Sequence, residues 1–167
     1  MNSKNIIYLA LLLLFNFTLV SQTPDQQECL VILGKISNSG SKIKLKKDKG
    51  YKVELICFNK LIETETKKSS KGFRFVLKKN AIYTIKISKE GFITKIVSIN
   101  TTIDKNEGAP LTRLYFETEL IKESMKTQLD EEGLEFPIAL ISYDALNGVF
   151  NLNEKYTQNI KQVIYSK

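Results

Sequence analysis

The side chains in this sequence that could do chemistry are carboxylates and two cysteines, because the 167 residues include no histidine. Without histidine there is no Ser-His-Asp triad, no Cys-His pair and no histidine-ligated metal or haem. Two cysteines are too few for a four-thiolate zinc or iron–sulfur site. The residue types therefore exclude most familiar catalytic centres and leave hydrolysis by paired carboxylates as the route to examine.

Two groups of carboxylates are close enough in sequence to be considered. Glu117 and Glu119 share one face of a predicted strand, opposite its apolar residues, so solvent rather than an apolar pocket should surround them. The acidic run at residues 130–132 lacks the alternate-position oxygen ligands of a calcium loop. No Gly-rich phosphate loop is present in the sequence. We therefore predict a protein that is not an enzyme, with no cofactor and no catalytic or metal-ligating residues.

An apolar run near the N-terminus predicts export. Residues 6–20 are almost entirely apolar, and Lys4 is the only charge before them. A bilayer-spanning helix needs ~20 residues, so this run has the length of a signal-peptide core, and Ser21 suits the cleaved bond. We assign residues 1–21 as a signal peptide and 22–28 as a polar lead-in, with an uncleaved anchor as the alternative. The predicted location is the periplasm, the outer-membrane periphery or the medium, with no integral membrane span after cleavage.

Export changes the interpretation of the two cysteines. Cys29 and Cys57 both lie in apolar, strand-like runs and would meet an oxidising compartment, where a disulfide can form. The alternative is two buried thiols, which are common in protein cores. Lipidation of Cys29 is disfavoured because Gln-Gln-Glu, rather than small residues, precedes it.

The cysteines and the Glu117–Glu119 pair lie in a region, residues 29 to about 122, whose sequence pattern predicts strands. Apolar and polar residues alternate at 42–46, 51–57, 73–78 and 83–88, which is the period of a half-buried strand. Turn residues separate the runs, as in Asn-Ser-Gly at 38–40 and Glu-Gly at 90–91. With no helix-period stretch between the strands, the pattern predicts an all-β, antiparallel sandwich at residues 29–122.

The last third, residues 123–167, has a different pattern. Residues 123–135 are polar and acidic, which is typical of a loop or frayed helix, and residues 136–141 form an apolar run that predicts a buried strand or a tucked extended segment. Tyr156, Ile160 and Ile164 are spaced at four residues, with Asn153 before them as a helix cap. We expect a short strand and an amphipathic helix that pack on the sandwich.

The order of features in residues 30–101 resembles the carboxypeptidase regulatory-like domains. The matching pieces are LVILGKI, YKVELICFN, KGFRFVL and AIYTIKISKEGFITKIVSINT. The resemblance implies a seven-strand transthyretin-like or Ig-like sandwich of the kind found in exported Bacteroidota proteins. It also implies that Gly91 supplies a positive φ and that Phe92 fills the end of the sandwich.

One departure from that family concerns the turn before the Phe strand. Members usually carry Thr-Asp-x-x-Gly there, whereas this chain has Thr66 followed by Lys-Lys-Ser-Ser-Lys before Gly72. Any role of that Asp in ordering a loop or ion is therefore absent. The resemblance implies a non-catalytic accessory or binding module.

The charge is divided unevenly along the chain. Residues 35–89 carry a net +12, whereas residues 90–167 carry −4, within a formal total of +7. The densest cations form a predicted basic patch on two loops, which comprises Lys46, Lys47, Lys49, Lys67, Lys68, Lys71 and Arg74. Such a patch attracts anionic glycan or lipid headgroups. Lys on strand edges is also a common protection against edge pairing, so a purely structural role is the alternative.

These features predict an exported, non-catalytic binding or scaffold module at the bacterial cell envelope. The predicted partners are an envelope protein or an anionic glycan or lipid. No aromatic-interleaved nucleic-acid motif is present in the sequence, so nucleic acid is not expected. The alternative is a periplasmic structural subunit that docks on a larger envelope complex through its C-terminal segment.

Overall fold

Strands make up most of the computed structural model, which describes residues 27–38, 50–68, 71–104 and 110–166. The strands are β1 (Glu28–Asn38), β2 (Tyr51–Cys57), β3 (Lys60–Lys67), β4 (Phe73–Lys78), β5 (Ile82–Ser88), β6 (Lys95–Asn100), β7 (Thr112–Leu120), β8 (Ala139–Asp144) and β9 (Val149–Leu152). A 3₁₀ helix at Glu123–Gln128 and helix α1 (Glu131–Glu135) lie between β7 and β8, and helix α2 (Glu154–Ile164) follows β9. The fold is therefore mostly β, as predicted.

The strands form two sheets that share one apolar core. One sheet has the order β4-β1-β7, and the other has the order β3-β2-β5-β6-β8-β9. Two pairings are parallel, β1 with β7 and β6 with β8, so the expectation of a wholly antiparallel arrangement is wrong. Parallel neighbours need a long crossover connection, and the chain makes one between β6 and β8 through β7 and both short helices.

The period-2 alternation correctly predicts which side chains enter the core. In β4, Phe73 and Phe75 are buried whereas Arg74 between them is exposed. In β5, Tyr83 and Ile85 are buried on the same inner face. The predicted strand at residues 42–46 lies outside the described residues.

The C-terminal third is part of the fold rather than an appendage. β8 is an interior strand of the six-stranded sheet, between β6 and β9. The Asn153 side chain caps α2 by accepting a hydrogen bond from the Tyr156 N–H at 2.9 Å, as predicted. Beneath α2, a second apolar cluster contains Ile121, Leu129 and Ile160.

The turn between β5 and β6 has the geometry that the family resemblance implies. Gly91 has a φ of 76°, and Phe92 packs against the main core. The Lys89 ammonium lies 5.2 Å from the centre of the Phe92 ring. Within the described residues, no helix has the length and apolar character needed to cross a bilayer.

Candidate functional site

A cavity lies on the open side of the two sheets where β7 and β9 are the edge strands. We call it the α2 cleft, because α2 forms one of its walls, and it encloses about 510 Å³. This volume lies in the range that holds small-molecule ligands, ~300–1,000 Å³. The cleft is lined by Lys95, Tyr115, Phe116, Glu117, Thr118, Glu119, Ile121, Ile138, Leu152, Thr157, Ile160, Lys161, Ile164 and Tyr165.

Lys95 is the largely buried cation of the α2 cleft. It pairs with Ile87 across the sheet and therefore shares the inner face of β6 with Val97, which is buried in the core. Burial lowers the pKa of the Lys95 amine to about 8, an effect that nearby Lys161 reinforces and Glu119 opposes. Lysines are seldom buried without a partner, so a lysine on the inner face of a strand marks an unusual position.

The remaining lining divides into an apolar floor and a polar rim. Isoleucines from α2 and from the segments before β8 and after β7 make the floor, with Ile121, Ile160 and Ile164 buried. Tyr115 and Tyr165 are exposed at the rim. A site with apolar walls and a few convergent polar groups suits a small ligand with one charged end.

Glu117 and Glu119 are exposed, as the sequence predicts, but both line the α2 cleft. The Glu117 carboxylate also lies 3.7 Å from the Lys35 ammonium, and both side chains are largely exposed. The electrostatic interaction of Glu119 with Lys95 was not foreseen, because it depends on how the two sheets come together. Within the described residues, no group of three or more Cys, Asp or Glu is placed to hold a metal ion.

The predicted basic patch is only partly described. Lys46, Lys47 and Lys49 lie outside the described residues. Lys67, Lys68 and Lys71 cluster where the chain leaves β3, and Arg74 is exposed on β4.

Three local contacts hold this lysine cluster in place. The Lys71 N–H donates to the Lys68 carbonyl at 2.9 Å, and the Tyr51 hydroxyl donates to the Lys71 carbonyl. The Lys67 ammonium lies 3.4 Å from a Glu65 carboxylate oxygen. None of these lysines lines the α2 cleft, so the structure separates the predicted basic patch from the cavity.

Neither of the two cysteines lines the α2 cleft. Cys29 is buried and its thiol donates to the Leu77 carbonyl at 3.5 Å, whereas Cys57 is partly exposed. Burial raises the pKa of the Cys57 thiol, and a hydrogen bond with Tyr83 opposes that rise. The structure has no disulfide between them, and their pairing on oxidation stays a prediction.

Sequence reasoning missed Lys95, although a signal was available. In the β6 segment Lys95, Val97 and Ile99 have the same parity, so the alternation that places the valine and isoleucine inside places the lysine there too. No sequence pattern predicts the cavity, because it forms between the edge strands of two different sheets, where α2 covers the gap only in part.

Comparisons with known proteins do not assign the chain to a family. No family model matches it, and no curated protein matches it. Among solved structures, the crystal structure of S.CueP aligns at 13% identity with a TM-score of 0.35, over 56% of this chain and 62% of that one. A protein of unknown function from Bacteroides fragilis aligns at 13% identity with a TM-score of 0.32, over 57% of this chain and 29% of that one. The chain spans less than two thirds of either protein, and these scores are too low to carry an argument about function.

Proposed function

We propose that this chain is an exported, non-catalytic binding module of the bacterial cell envelope whose α2 cleft takes a small amphipathic anion. The observation that carries the proposal is Lys95, a largely buried cation on the wall of an apolar cavity. Such a charge is costly unless it is paired, and the Lys95 ammonium has no hydrogen bond or ion pair with any described residue. A bound anion would supply the missing partner.

The lining defines the chemistry of the ligand. A carboxylate, sulfonate or phosphate would accept hydrogen bonds from Lys95, and Lys161 adds a second cation within electrostatic range. An apolar body would lie on Ile121, Ile160 and Ile164. Because Glu117 and Glu119 also face the cavity, a ligand with several negative charges would be repelled, and a single anionic group fits best.

The test uses 8-anilinonaphthalene-1-sulfonate, a fluorescent amphipathic anion. We expect it to bind with a 1:1 stoichiometry, and we expect Lys95→Gln to weaken binding at least tenfold while the circular dichroism spectrum is unchanged. Lys155→Gln is the matched control, because Lys155 is exposed on α2 but does not line the α2 cleft. Equal binding by Lys95→Gln and the unmodified protein would contradict the proposal.

A second proposed function is docking on a larger envelope complex through the C-terminal segment. Exposed Val163 and Tyr165, at the end of α2, are the side chains available for that contact. Deleting residues 136–167 cannot test it, because β8 lies between β6 and β9 and its loss would disrupt the six-stranded sheet. Val163→Glu is the sharper test, because Val163 does not line the α2 cleft: loss of a co-purifying envelope protein, with unchanged fluorescent-anion binding, would support docking.

The basic patch remains a proposed contact for anionic glycan or lipid. Its described members Lys67, Lys68 and Lys71 are clustered on one loop. Replacing all three with Ser should abolish a salt-sensitive interaction with the anionic surface, and binding that persists at high salt would contradict the electrostatic account. We also propose that the sandwich is transthyretin-like and related to the carboxypeptidase regulatory-like domains, which the geometry of Gly91 supports.

A further inference from the structure

The β2–β3 turn and its surroundings form a further surface, at the opposite end of β3 from the lysine cluster that the proposed function assigns to anionic glycan or lipid. We call it the Phe58 corner and define it by four exposed apolar residues, Phe58, Leu61, Ile62 and Ile82. Each has more than half of its surface exposed, from 52% for Ile82 to 63% for Phe58. Single exposed apolar residues are normal on proteins, but a group of four at one place marks an interaction site.

Local backbone contacts place the four residues in one region of the fold, at the β2–β3 hairpin and the start of β5. The Phe58 N–H donates to the Ile82 carbonyl at 3.2 Å, which joins the turn to the start of β5. Leu61 pairs with Ile56 across the β2–β3 hairpin. Ile62 and Phe58 both line a groove of about 310 Å³ between β3 and β4, so the apolar surface of the corner continues inward.

The backbone holds Phe58 outward in an unfavourable conformation. Phe58 has a φ of 45° and Asn59 a φ of 64°, the left-handed region that two-residue hairpin turns require. Asn and Gly suit this region, whereas a bulky aromatic residue is a genuine outlier there. Residues in strained backbone conformations concentrate at functional sites. An exposed aromatic ring on such a residue therefore indicates a role in binding.

The charges around the corner are mainly positive. Lys60 pairs with Cys57 beside the turn and Lys78 lines the same groove as Phe58, and both of these lysines are exposed, whereas Lys79 in that groove is only 7% exposed. Glu63 is the acidic residue of that groove. An apolar protrusion bordered by cations is complementary to an anionic bilayer, where the apolar side chains enter the acyl boundary and the lysines meet the headgroups.

The geometry is less suited to a protein strand as the partner. β3 is an edge strand, but the hairpin register shifts at Ile62, and such a bulge twists an edge away from further pairing. The corner is also a convex turn rather than a deep pocket. We infer that the Phe58 corner inserts into the surface of an anionic phospholipid bilayer.

Vesicle binding tests this inference with a chain that begins at Gln22 and contains every described element. Lipid vesicles of 70% phosphatidylcholine and 30% phosphatidylglycerol should sediment the protein, and pure phosphatidylcholine vesicles should bind it at least fivefold more weakly. Phe58→Asn removes the aromatic ring and suits the positive φ, so it should weaken binding about fivefold without lowering the thermal midpoint. Loss of binding therefore cannot be attributed to unfolding.

The control variants distinguish the corner from the remaining surface of the protein. Leu146→Asn is matched, because Leu146 is 98% exposed on the β8–β9 turn, and it should bind like the unmodified protein. Lys95→Gln should also bind normally, which keeps this test independent of the α2 cleft. Unchanged vesicle binding by Phe58→Asn, or equal binding to neutral vesicles, would overturn the inference. A dimer that Phe58→Asn converts to a monomer without any effect on vesicle binding would overturn it in favour of self-association.

Discussion

The sandwich has two sides at which edge strands of the two sheets face each other, and apolar side chains are arranged differently at each. On the β7–β9 side, α2 covers the gap between the sheets and leaves an apolar cavity with one largely buried lysine. On the β3–β4 side there is a groove of about 310 Å³, and the apolar residues around Phe58 are exposed beside it. One side is a concave site for a small molecule, and the other is a convex surface for a large partner.

The difference shows where this fold tolerates unfavourable features. On the first side the unfavourable feature is electrostatic, since Lys95 loses hydration. On the second side it is conformational, since Phe58 occupies the left-handed region. In both cases a substitution that removes the feature should stabilise the protein and weaken binding, which is the expected relation between stability and function at a site.

The largest expected change in stability comes from a substitution in α2, the helix that covers the β7–β9 side. Ile164→Ala removes a side chain that is 3% exposed in the cluster beneath α2. We expect a loss of about 2–4 kcal/mol in the free energy of unfolding, from transfer and cavity costs. Urea denaturation measures it, and Val163→Ala on the exposed face of α2 is the control, with about 0.5 kcal/mol or less. Equal effects at both positions would mean that α2 is not packed on the cluster.

The next effect is a stabilisation. Lys95→Met removes the desolvated ammonium, and we expect about 1–2 kcal/mol of added stability at pH 7, which is a fraction of the full pKa shift because the amine keeps some solvent contact. The pKa of Lys95 is about 8 when folded and 10.5 in its unperturbed state. Between these values the unfolded chain binds more protons, so the stability of the unmodified protein rises with pH.

Because the folded protein binds fewer protons than the unfolded chain in this pH range, the stability gained by Lys95→Met should depend on pH. The advantage of Lys95→Met should shrink as the pH rises from about 8 towards 10.5, because the unmodified folded protein then has a neutral amine. Urea denaturation at pH 7 and pH 10 measures both values. A difference that does not change with pH would show that the gain comes from packing rather than from the charge.

A substitution at the Phe58 corner should also stabilise the protein, by a smaller amount. Phe58→Asn relieves the positive φ, and we expect the protein to gain about 0.5–1 kcal/mol of stability while it loses vesicle binding. Asn59→Ala is the opposite change, because it places a less suitable residue in the left-handed region, and it should lower stability by a similar amount. Thermal unfolding of both variants measures the pair.

The smallest effect concerns the N-terminus of α2. Asn153→Ala removes the side-chain oxygen that accepts from the Tyr156 N–H, and we expect a loss of about 1 kcal/mol. Asn153→Asp, which keeps the acceptor, should be nearly neutral. Chemical denaturation distinguishes the two, and an equal loss in both variants would mean that the cap does not depend on the side-chain oxygen.

Local patterns predicted much of this fold, whereas pairing between distant segments was beyond them. The alternation in β4 and β5 and the Asn153 cap are local features that the structure confirms, and the positive φ of Gly91, which the family resemblance implied, is also present. The parallel pairings of β1 with β7 and of β6 with β8 depend on which distant strands meet, and no alternation pattern contains that information.

The candidate site was harder to predict than the fold. A high local density of lysines is evident in a sequence, and it indicated the loop lysines as a binding surface. A single lysine on the inner face of a strand is evident only from its position in the alternation of buried and exposed residues. The α2 cleft combines Lys95 from β6 with residues of β7, β9 and α2, so its lining is a property of the assembled sheets.

The most direct test of the central claim is a titration of the lysine side chains by nuclear magnetic resonance, with and without decanoate. We predict that one lysine titrates near a pKa of 8, that its signal disappears in Lys95→Gln, and that decanoate raises its pKa because a bound carboxylate favours the charged amine. Glu119, which favours the charged amine, and Lys161, which disfavours it, act on Lys95 both with and without decanoate, so the difference between the two titrations reports the added carboxylate. If every lysine titrates near 10.5 and decanoate changes none of them, the α2 cleft is not an anion-binding site.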